Sequence, residues 1–273
     1  MASALQTEIA SLNPPLYWPL NDAYGVSPVV NAGSVGAGGN AALVSQAQTG
    51  VQGLKAGSSD TAAFGGGTVS DGFNAGIQAS DVILAADSFT TFGVFQMFSV
   101  PSAHTAWLLS CGVTGTFGGF QMGVSTGGFV EFSISDTSSH SATITLPPFV
   151  ADGVVHCMAF VRDTSASKLY TYCDGALVLA RSDPTAGVNV THANSNTRLG
   201  NSDSQNQSFI GVFSDLFFIK SVVAGLEQAV LFNKLWNGAP PKLAPSSQQV
   251  IVQGVGQLQL DTASILSAVR KTY

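Results

Sequence analysis

Apolar and polar residues alternate in many short runs along this chain, and the clearest pair of runs lies between His156 and Gly175. Two runs are joined there by a polar turn, and the second ends at an Asp-Gly turn, which is the pattern of a β-hairpin. Similar runs follow at even spacing with Gly-rich connections, as is typical of a sandwich or a barrel. We predict further strands at residues 16–22, 88–97, 107–110, 119–124 and 129–135.

Apolar residues occur at helical spacing near the N-terminal end of the chain. Ser3 forms a capping box with Gln6, and the apolar residues that follow lie at helical spacing (Leu5, Ile9 and Leu12). We therefore predict a helix over residues 3–12. Residues 31–60 have little periodicity and predict a loop.

The last part of the chain differs from the rest. A Pro-rich linker begins at Gly238, and alternating apolar residues after it indicate a short β-arm. Asp261 is a candidate N-cap for a final helix of some ten residues, which is marginal alone in water and is expected to dock on another surface. The predicted domains are residues 1–15 (helix and linker), 16–237 (sandwich) and 238–273 (linker, β-arm and docking helix). The candidate docking residues are Leu260, Ile265, Leu266 and Val269.

Several motifs resemble one known family. The segments HCMAFVRDTSASKLYTYCDG (156–175), LYWPLND (16–22), TRLGN (197–201) and FIGVFSDLFFI (209–219) are similar to strands of laminin-G-like, concanavalin A-like jelly-roll domains, in the same order. The resemblance implies an all-β jelly-roll sandwich, with short helical appendages at the N-terminal and C-terminal ends. By the family's order of elements it also implies strands at residues 62–65, 68–69, 197–201 and 209–219, and a helix from about residue 225 to 237 with Gly238 as its C-cap. That scaffold carries lectins, hydrolases and structural modules alike, so it does not determine function.

Composition and charge exclude several classes of partner. Only 10% of residues are charged, yet no apolar run approaches the roughly 20 residues that cross a bilayer. We expect no membrane insertion. Residues 162–273 hold nine basic and seven acidic residues without a basic patch, and residues 1–161 hold one basic residue, so we expect no nucleic-acid binding. The N-terminus lacks signal-peptide features, which predicts synthesis and folding in a host cytoplasm.

The sequence offers no catalytic constellation. Glutamate occurs only at positions 8, 131 and 227, so the paired glutamates of jelly-roll glucanases are missing around Glu131. The histidines are scattered. We therefore expect no catalytic residues and no enzyme.

The three cysteines are Cys111, Cys157 and Cys173. They show no metal-type spacing, and we interpret them as reduced, buried thiols; a cross-strand disulfide between Cys157 and Cys173 is the alternative. A zinc site made from His156 and Cys157 is disfavoured, because adjacent strand residues point to opposite faces.

Two kinds of binding site stay open. We expect no bound cofactor, with calcium as the metal that the resemblance leaves open; the candidate ligands are Asp22, Asn201 and Asp203, which could equally be turn residues that cap their own backbone. Sugar binding needs exposed aromatic residues beside Asn or Asp, and Tyr24 or Trp107 is the candidate. For both, packing in the core or at an edge is the alternative.

The leading functional hypothesis is a non-enzymatic virion structural protein of a bacteriophage: a tail, fibre or capsid-decoration component. A short helix followed by LNPPLYWPLND resembles the opening of phage proteins with such a domain, and the terminal segments resemble docking elements. The partners would be other virion proteins and further copies of the chain, commonly as a trimer. The alternative is a carbohydrate-binding adhesin or lectin that recognises host-surface glycans.

Overall fold

A computed structural model describes residues 3–54, 61–66, 72–78, 87–113, 118–136, 140–188, 190, 196–202, 207–223 and 225–235. The chain divides into two units, Met1–Gly238 and Ala239–Tyr273, and every described residue lies in the first. The predicted segments 68–69 and 238–273 lie outside the described residues. So do Asp203 and the candidate docking residues. None of the described helices has the length and apolar character needed to cross a bilayer.

The described residues form fifteen strands, two α-helices and one 3-10 turn. The helices are α1 (Ala4–Ser11) and α2 (Gly225–Leu235), and the 3-10 turn is Gly36–Gly39. The strands are β1 (Leu16–Trp18), β2 (Ala42–Val44), β3 (Gln48–Gln52), β4 (Thr61–Gly66), β5 (Gly72–Gln78), β6 (Phe89–Met97), β7 (Ala106–Val113), β8 (Gly118–Val124), β9 (Phe129–Ser135), β10 (Ser141–Phe149), β11 (Val155–Asp163), β12 (Lys168–Cys173), β13 (Ala176–Ser182), β14 (Asn196–Leu199) and β15 (Ile210–Ile219).

The strands form two antiparallel sheets, as predicted for a sandwich. The larger sheet has eight strands in the order β13-β12-β11-β6-β15-β4-β3, with β1 paired to β15. The smaller sheet has seven strands in the order β10-β9-β8-β7-β14-β5-β2. The predicted hairpin is confirmed as β11 and β12, which pair from Met158 opposite Cys173 to Asp163 opposite Lys168.

Phenylalanine side chains fill the space between the sheets. The ring of Phe89 on β6 lies 4.7 Å from that of Phe120 on β8 and 5.4 Å from that of Phe218 on β15, measured between ring centroids. Each of these rings is essentially inaccessible to water. Burial of one such side chain stabilises the fold by about 1.5–3 kcal/mol, so this aromatic cluster is a major part of the core.

A second apolar cluster covers the outer face of the larger sheet. Leu5 and Ile9 of α1 and Leu231 of α2 are buried there against Phe92 of β6 and Phe217 of β15. The predicted capping box starts α1, because Ser3 Oγ accepts a hydrogen bond from Gln6 N at 3.2 Å, and Gln6 Oε1 accepts one from Ser3 N at 2.9 Å. The helical appendages are therefore part of the domain's packing.

Two predictions about the first sixty residues were wrong in extent. The strand predicted at 16–22 ends at Trp18, because Pro19 has no N–H for a ladder and Leu20 adopts a φ of 57°. The predicted loop 31–60 contains β2 and β3. Each of these two strands is short and pairs on one side only, with β5 and β4 respectively, so neither needs strong alternation.

The three cysteines are buried and unbridged. Cys173 lies opposite Met158 in the hairpin, one residue away from Cys157. Successive strand residues point to opposite faces, and Cys157 accordingly belongs to the outer cluster while Cys173 belongs to the core between the sheets. The register thus gives no cross-strand disulfide, and the interpretation as buried thiols holds.

Arg162 anchors β11 to the loop that follows β13. Its guanidinium is fully buried and donates hydrogen bonds to Asp183 Oδ2 at 2.9 Å, to the carbonyl of Val188 at 3.1 Å and to the carbonyl of Thr185. Asp183 is equally buried, and its other carboxylate oxygen accepts a hydrogen bond from the Thr185 amide at 2.8 Å. Each charge therefore depends on the other for compensation.

We predict that Arg162→Met lowers the free energy of unfolding by about 3–5 kcal/mol, because the Asp183 carboxylate would stay buried without its counter-charge. Urea denaturation measures this. Arg181→Met is the matched control on the exposed part of β13, and a change within about 0.5 kcal/mol is expected for it. Equal effects of the two substitutions would contradict the role given to Arg162.

Candidate functional site

The most exposed aromatic ring of the described residues is that of Tyr24. It is 74% exposed and lies in the loop 21–30 between β1 and β2. Val26 and Val30 of the same loop are also exposed, at 38% and 52%. Exposed apolar side chains that cluster on one loop are typical of a binding surface, whereas single ones are common everywhere.

The loop 21–30, called here the Tyr24 loop, is fixed by hydrogen bonds to the strands beneath it. Thr49 of β3 donates from Oγ1 to the carbonyl of Ala23 at 2.8 Å and to that of Val26 at 3.2 Å. The backbones of Val29 and Ala41 exchange two hydrogen bonds, of 2.8 and 3.0 Å. The backbone of Tyr24 is therefore held in place while its ring faces solvent.

Gly50 lets the Tyr24 loop approach β3 closely. Its φ is 71°, a left-handed conformation that suits glycine. A Cβ added at this position would overlap the backbone nitrogen and Cα of Tyr24. The close approach of loop and strand thus depends on a residue without a side chain.

Asp22 closes the base of the Tyr24 loop. Its half-buried carboxylate accepts a hydrogen bond from the backbone amide of Val30. Burial raises the pKa of this carboxyl above its ordinary value, although the backbone hydrogen bonds act in the opposite direction. Asp22, one of the three calcium candidates, therefore joins the two ends of the Tyr24 loop by a hydrogen bond.

Asn201 has a similar local role. It is buried, and its Oδ1 accepts hydrogen bonds from the backbone amides of Ser202 at 2.7 Å and Gln207 at 3.3 Å. These contacts are those of a side chain that caps its own turn. Asp203 lies outside the described residues, and calcium binding by Asp22, Asn201 and Asp203 stays a prediction.

Trp107 does not offer an exposed ring. It lies in β7, is 4% exposed, and donates from Nε1 to Gln207 Oε1 at 2.8 Å. The indole is buried, in line with the alternative of packing in the core or at an edge, and it offers no exposed face for a sugar. Of the two aromatic candidates, Tyr24 alone presents its ring to solvent.

The outer face of the smaller sheet is polar. One register row crosses it through Asn74, Arg198, Ser110, Gln121, Ser133 and Thr143. Neighbours in the row are linked, since Gln121 Nε2 donates to Ser110 Oγ at 3.1 Å and the hydroxyls of Ser133 and Thr143 are 3.1 Å apart. Of this row, Ser110, Gln121, Ser133 and Arg198 are buried, so much of its hydrogen-bonding capacity is used within the protein.

Glu131 lies on the same polar face. Its carboxylate accepts hydrogen bonds from the hydroxyls of Thr105 at 2.9 Å and Thr145 at 3.0 Å. In the sequences of the described strands of this sheet, Glu131 is the single acidic residue. A retaining glycosidase needs two carboxyls about 5 Å apart, and these strands supply one.

A cleft of about 430 Å³ opens on the larger sheet. Phe98, which follows β6, is 61% exposed at this cleft. The other residues that line the cleft are Val51, Gln52, Gly53, Leu54, Gln96, Val155 and Val212. The walls are mainly apolar, with two glutamine amides as polar groups.

His156 is held between two carboxylates at the start of β11. Its Nδ1 lies 2.8 Å from Asp174 Oδ2, and its Nε2 lies 3.1 Å from Asp152 Oδ1. Burial lowers the pKa of this imidazole, but the hydrogen bonds and negative charges of Asp174 and Asp152 outweigh burial, so the net shift is upward. The sequence analysis predicted neither of these two carboxylate contacts of His156.

Comparison with known proteins identifies the fold. The model of the concanavalin A-like lectin/glucanases superfamily matches residues 70–223. No curated protein sequence matches the chain.

Three solved structures are similar. The binding domain of Paraclostridial Mosquitocidal Protein 1 has a TM-score of 0.59 and 11% identity, over 81% of this chain and 52% of that chain. A structure of botulinum neurotoxin type C, which depends upon interaction with two ganglioside molecules to enter cells, has a TM-score of 0.53 and 14% identity over 83% of this chain and 53% of that chain. The carbohydrate-binding module CBM40 of the Ruminococcus gnavus IT-sialidase, bound to α2,3-sialyllactose, has a TM-score of 0.48 and 17% identity, over 60% of this chain and 92% of that chain. This chain spans about half the length of the two toxin structures.

We predict that Gly50→Ala lowers the free energy of unfolding by about 2–5 kcal/mol, because a left-handed alanine is strained and its Cβ would push the Tyr24 loop away from β3. The matched control is Gly187→Ala, where φ is 77° and an added Cβ would meet open space. The control should cost only the backbone strain, about 1–2 kcal/mol. If urea denaturation gave equal losses for both variants, the close approach of loop and strand would be refuted.

Proposed function

The chain belongs to the concanavalin A-like lectin/glucanase superfamily, and from that premise we propose that it is a non-enzymatic, lectin-like module that binds glycans through the Tyr24 loop. The observation that carries the proposal is an exposed tyrosine ring on a backbone held by β3. A ring of this kind can stack on the apolar face of a sugar while its hydroxyl contacts water or sugar hydroxyls.

The fixed backbone of the Tyr24 loop favours binding. A loop that is already ordered loses little conformational entropy when a ligand docks, so more of the contact energy appears as affinity. The same loop also carries exposed polar residues, Asn21 and Ser27. Amide and hydroxyl groups of this kind donate hydrogen bonds to sugar hydroxyls and accept hydrogen bonds from them.

The similar botulinum neurotoxin type C depends on gangliosides, which are glycolipids, for entering cells. This supports glycans as the first class of ligand to test. At 14% identity this similarity concerns the fold. The choice of the Tyr24 loop as the binding surface is based on the geometry of this chain alone.

The proposal includes no catalytic step. Glu131 is held by two threonine hydroxyls, and no second carboxylate occurs in the described strands of its sheet. A fixed carboxylate of this kind can accept hydrogen bonds from a ligand, but the described strands of its sheet supply no second carboxyl as an acid or base partner for the cleavage of a glycosidic bond.

We also propose that the module works in a bacteriophage virion, as a tail, fibre or capsid-decoration component. The supporting observation is the N-terminal segment, in which α1, Asn13-Pro14-Pro15 and β1 follow one another in the order of the phage proteins that the sequence resembles. A glycan-binding surface on such a particle would serve attachment to a host surface.

For the glycan site, we predict that Tyr24→Ala reduces affinity for the best ligand of a glycan array by at least about tenfold, because the stacking surface is lost. The free energy of unfolding should stay within about 0.5 kcal/mol, since the ring is exposed. Array screening followed by calorimetric titration measures the first quantity, and urea denaturation the second.

Phe98→Ala is the control for the glycan site, because Phe98 is also an exposed aromatic residue but lies at the cleft of the larger sheet. We expect its affinity to equal that of the unmodified chain. A loss of binding in Phe98→Ala with full binding in Tyr24→Ala would place the ligand in the cleft and overturn the assignment. A full array without any bound glycan would overturn the function itself.

For assembly, we predict that deletion of residues 238–273 leaves a folded domain that no longer forms oligomers or attaches to its particle. The reason is that the last predicted helix is too short to be stable without a docking surface. Light scattering after gel filtration gives the mass, and thermal unfolding reports the fold. In the full chain, Ile265→Asp should reproduce the loss and Ser267→Asp should not. The docking role would be contradicted if the truncated chain unfolded, or if it still formed oligomers with the same number of copies as the full chain.

A further inference from the structure

Three chemically different donor groups converge where β11 and β12 meet. A ring nitrogen of His156, the sulfur of Cys173 and a carboxylate oxygen of Asp174 all lie within 4.8 Å of one another. His156 comes from β11, whereas Cys173 ends β12 and Asp174 follows it. The glycan site and the polar face of the smaller sheet use none of these groups.

We propose that this cluster binds a zinc ion, with Nδ1 of His156, Sγ of Cys173 and Oδ2 of Asp174 as its three protein ligands. Nitrogen, thiolate sulfur and carboxylate oxygen are the donors that zinc takes in proteins, whereas calcium and magnesium take oxygen. Water completes the tetrahedron, as in zinc sites that have three protein ligands.

The distances suit a tetrahedral ion. Zinc bonds of about 2.0–2.3 Å place two ligand atoms of a tetrahedron about 3.3–3.6 Å apart. The cluster therefore needs to contract by about 1 Å at its widest, while Nδ1 of His156 and Oδ2 of Asp174, now 2.8 Å apart, separate slightly. Side-chain torsions can supply movements of this size.

The surrounding groups prepare the ligands for a metal. Asp152 Oδ1 lies 3.1 Å from Nε2 of His156 and can accept its proton in a hydrogen bond, so that Nδ1 is the nitrogen that can bind a metal once the proton it shares with Asp174 is released. A carboxylate behind a ligating histidine is the usual outer partner in zinc sites. Asp174 is oriented in the same way, because its Oδ1 accepts a hydrogen bond from the amide of Cys157 at 3.0 Å.

Charge and access also favour a divalent cation. The carboxylates of Asp152 and Asp174 and the thiolate of Cys173 carry three negative charges. Two of these charges neutralise Zn²⁺, so the occupied site has a net charge of minus one. The side chains of Asp152 and Asp174 are 37% and 25% exposed, so an ion can reach the site from solvent. Binding releases to water the thiol proton of Cys173 and any proton shared by Nδ1 and Oδ2.

Cys173 distinguishes a metal site from a purely structural network. The hydrogen bonds among His156, Asp152 and Asp174 do not involve its sulfur. Cys157 is the matched control, because it is also buried and lies on the same hairpin but points to the outer face of the sheet. A serine at either position should have comparable effects on folding and different effects on metal binding.

The test is a titration of the untagged, reduced full chain with Co²⁺, a spectroscopic substitute for zinc, followed by Zn²⁺. We expect one Co²⁺ per chain, with the visible bands of a tetrahedral site and a thiolate-to-cobalt charge-transfer band, and we expect stoichiometric Zn²⁺ to abolish both. Cys173→Ser should lose the charge-transfer band, and Cys157→Ser should keep it. Asp152→Asn should weaken Zn²⁺ binding by about 10–100-fold.

The proposal would be overturned by a folded chain that gives no charge-transfer band, or by a band that persists in Cys173→Ser and disappears in Cys157→Ser. Circular dichroism establishes that each variant is folded. Should Cys173→Ser fail to fold, Asp152→Asn decides the matter through its partly exposed side chain: unchanged Zn²⁺ affinity in that variant contradicts the site.

Discussion

The larger sheet has two apolar faces, and the rest of the molecule is organised by the need to cover both. On β6, Phe89 and Phe95 point toward the smaller sheet, whereas Phe92 and Val94 point outward. A sheet of this kind cannot leave its outer face in water without exposing a large apolar surface. Leu5 and Ile9 of α1, together with Leu231 of α2, cover that face. The helices at the two ends of the described region are therefore required by the burial pattern of a central strand.

This cover also positions the candidate binding surface. Because α1 packs on the larger sheet and β1 belongs to it, the chain must cross to β2 in the smaller sheet, and the Tyr24 loop is part of that connection. The backbone of this loop accepts a hydrogen bond from Thr49, and the missing side chain of Gly50 lets it lie close to β3. The exposed ring of Tyr24 is therefore attached to a backbone that is held in place. The hairpin carries the proposed zinc site, where the register of β11 and β12 brings the side chains of His156 and Cys173 to one face. The proposed glycan site thus lies on a loop and the proposed zinc site at the end of a strand, on a scaffold that other proteins use differently.

Local patterns were enough to predict much of this fold. The hairpin and the capping box of Ser3 and Gln6 follow from alternation or capping within a few residues, whereas the long β15 was predicted from its resemblance to a strand of the family. The strands β2 and β3 were missed because they are short and paired on one side, and rich in Ala, Gln and Gly. Trp107 forms its side-chain hydrogen bond with Gln207, a hundred residues away, and this contact could not be predicted from its neighbours in sequence. The same limit applies to His156 and Cys173, whose meeting depends on the strand register.

The central claim, that glycans stack on Tyr24, can be tested directly by NMR of a chain labelled at tyrosine rings. The chain has five tyrosines, so the spectrum is simple, and the buried Tyr17 and Tyr172 serve as internal references. During titration with the best glycan of an array, the account predicts that the ring signals of Tyr24 shift and saturate while those of Tyr17 and Tyr172 stay in place. Saturable binding that leaves the Tyr24 signals unmoved would contradict it.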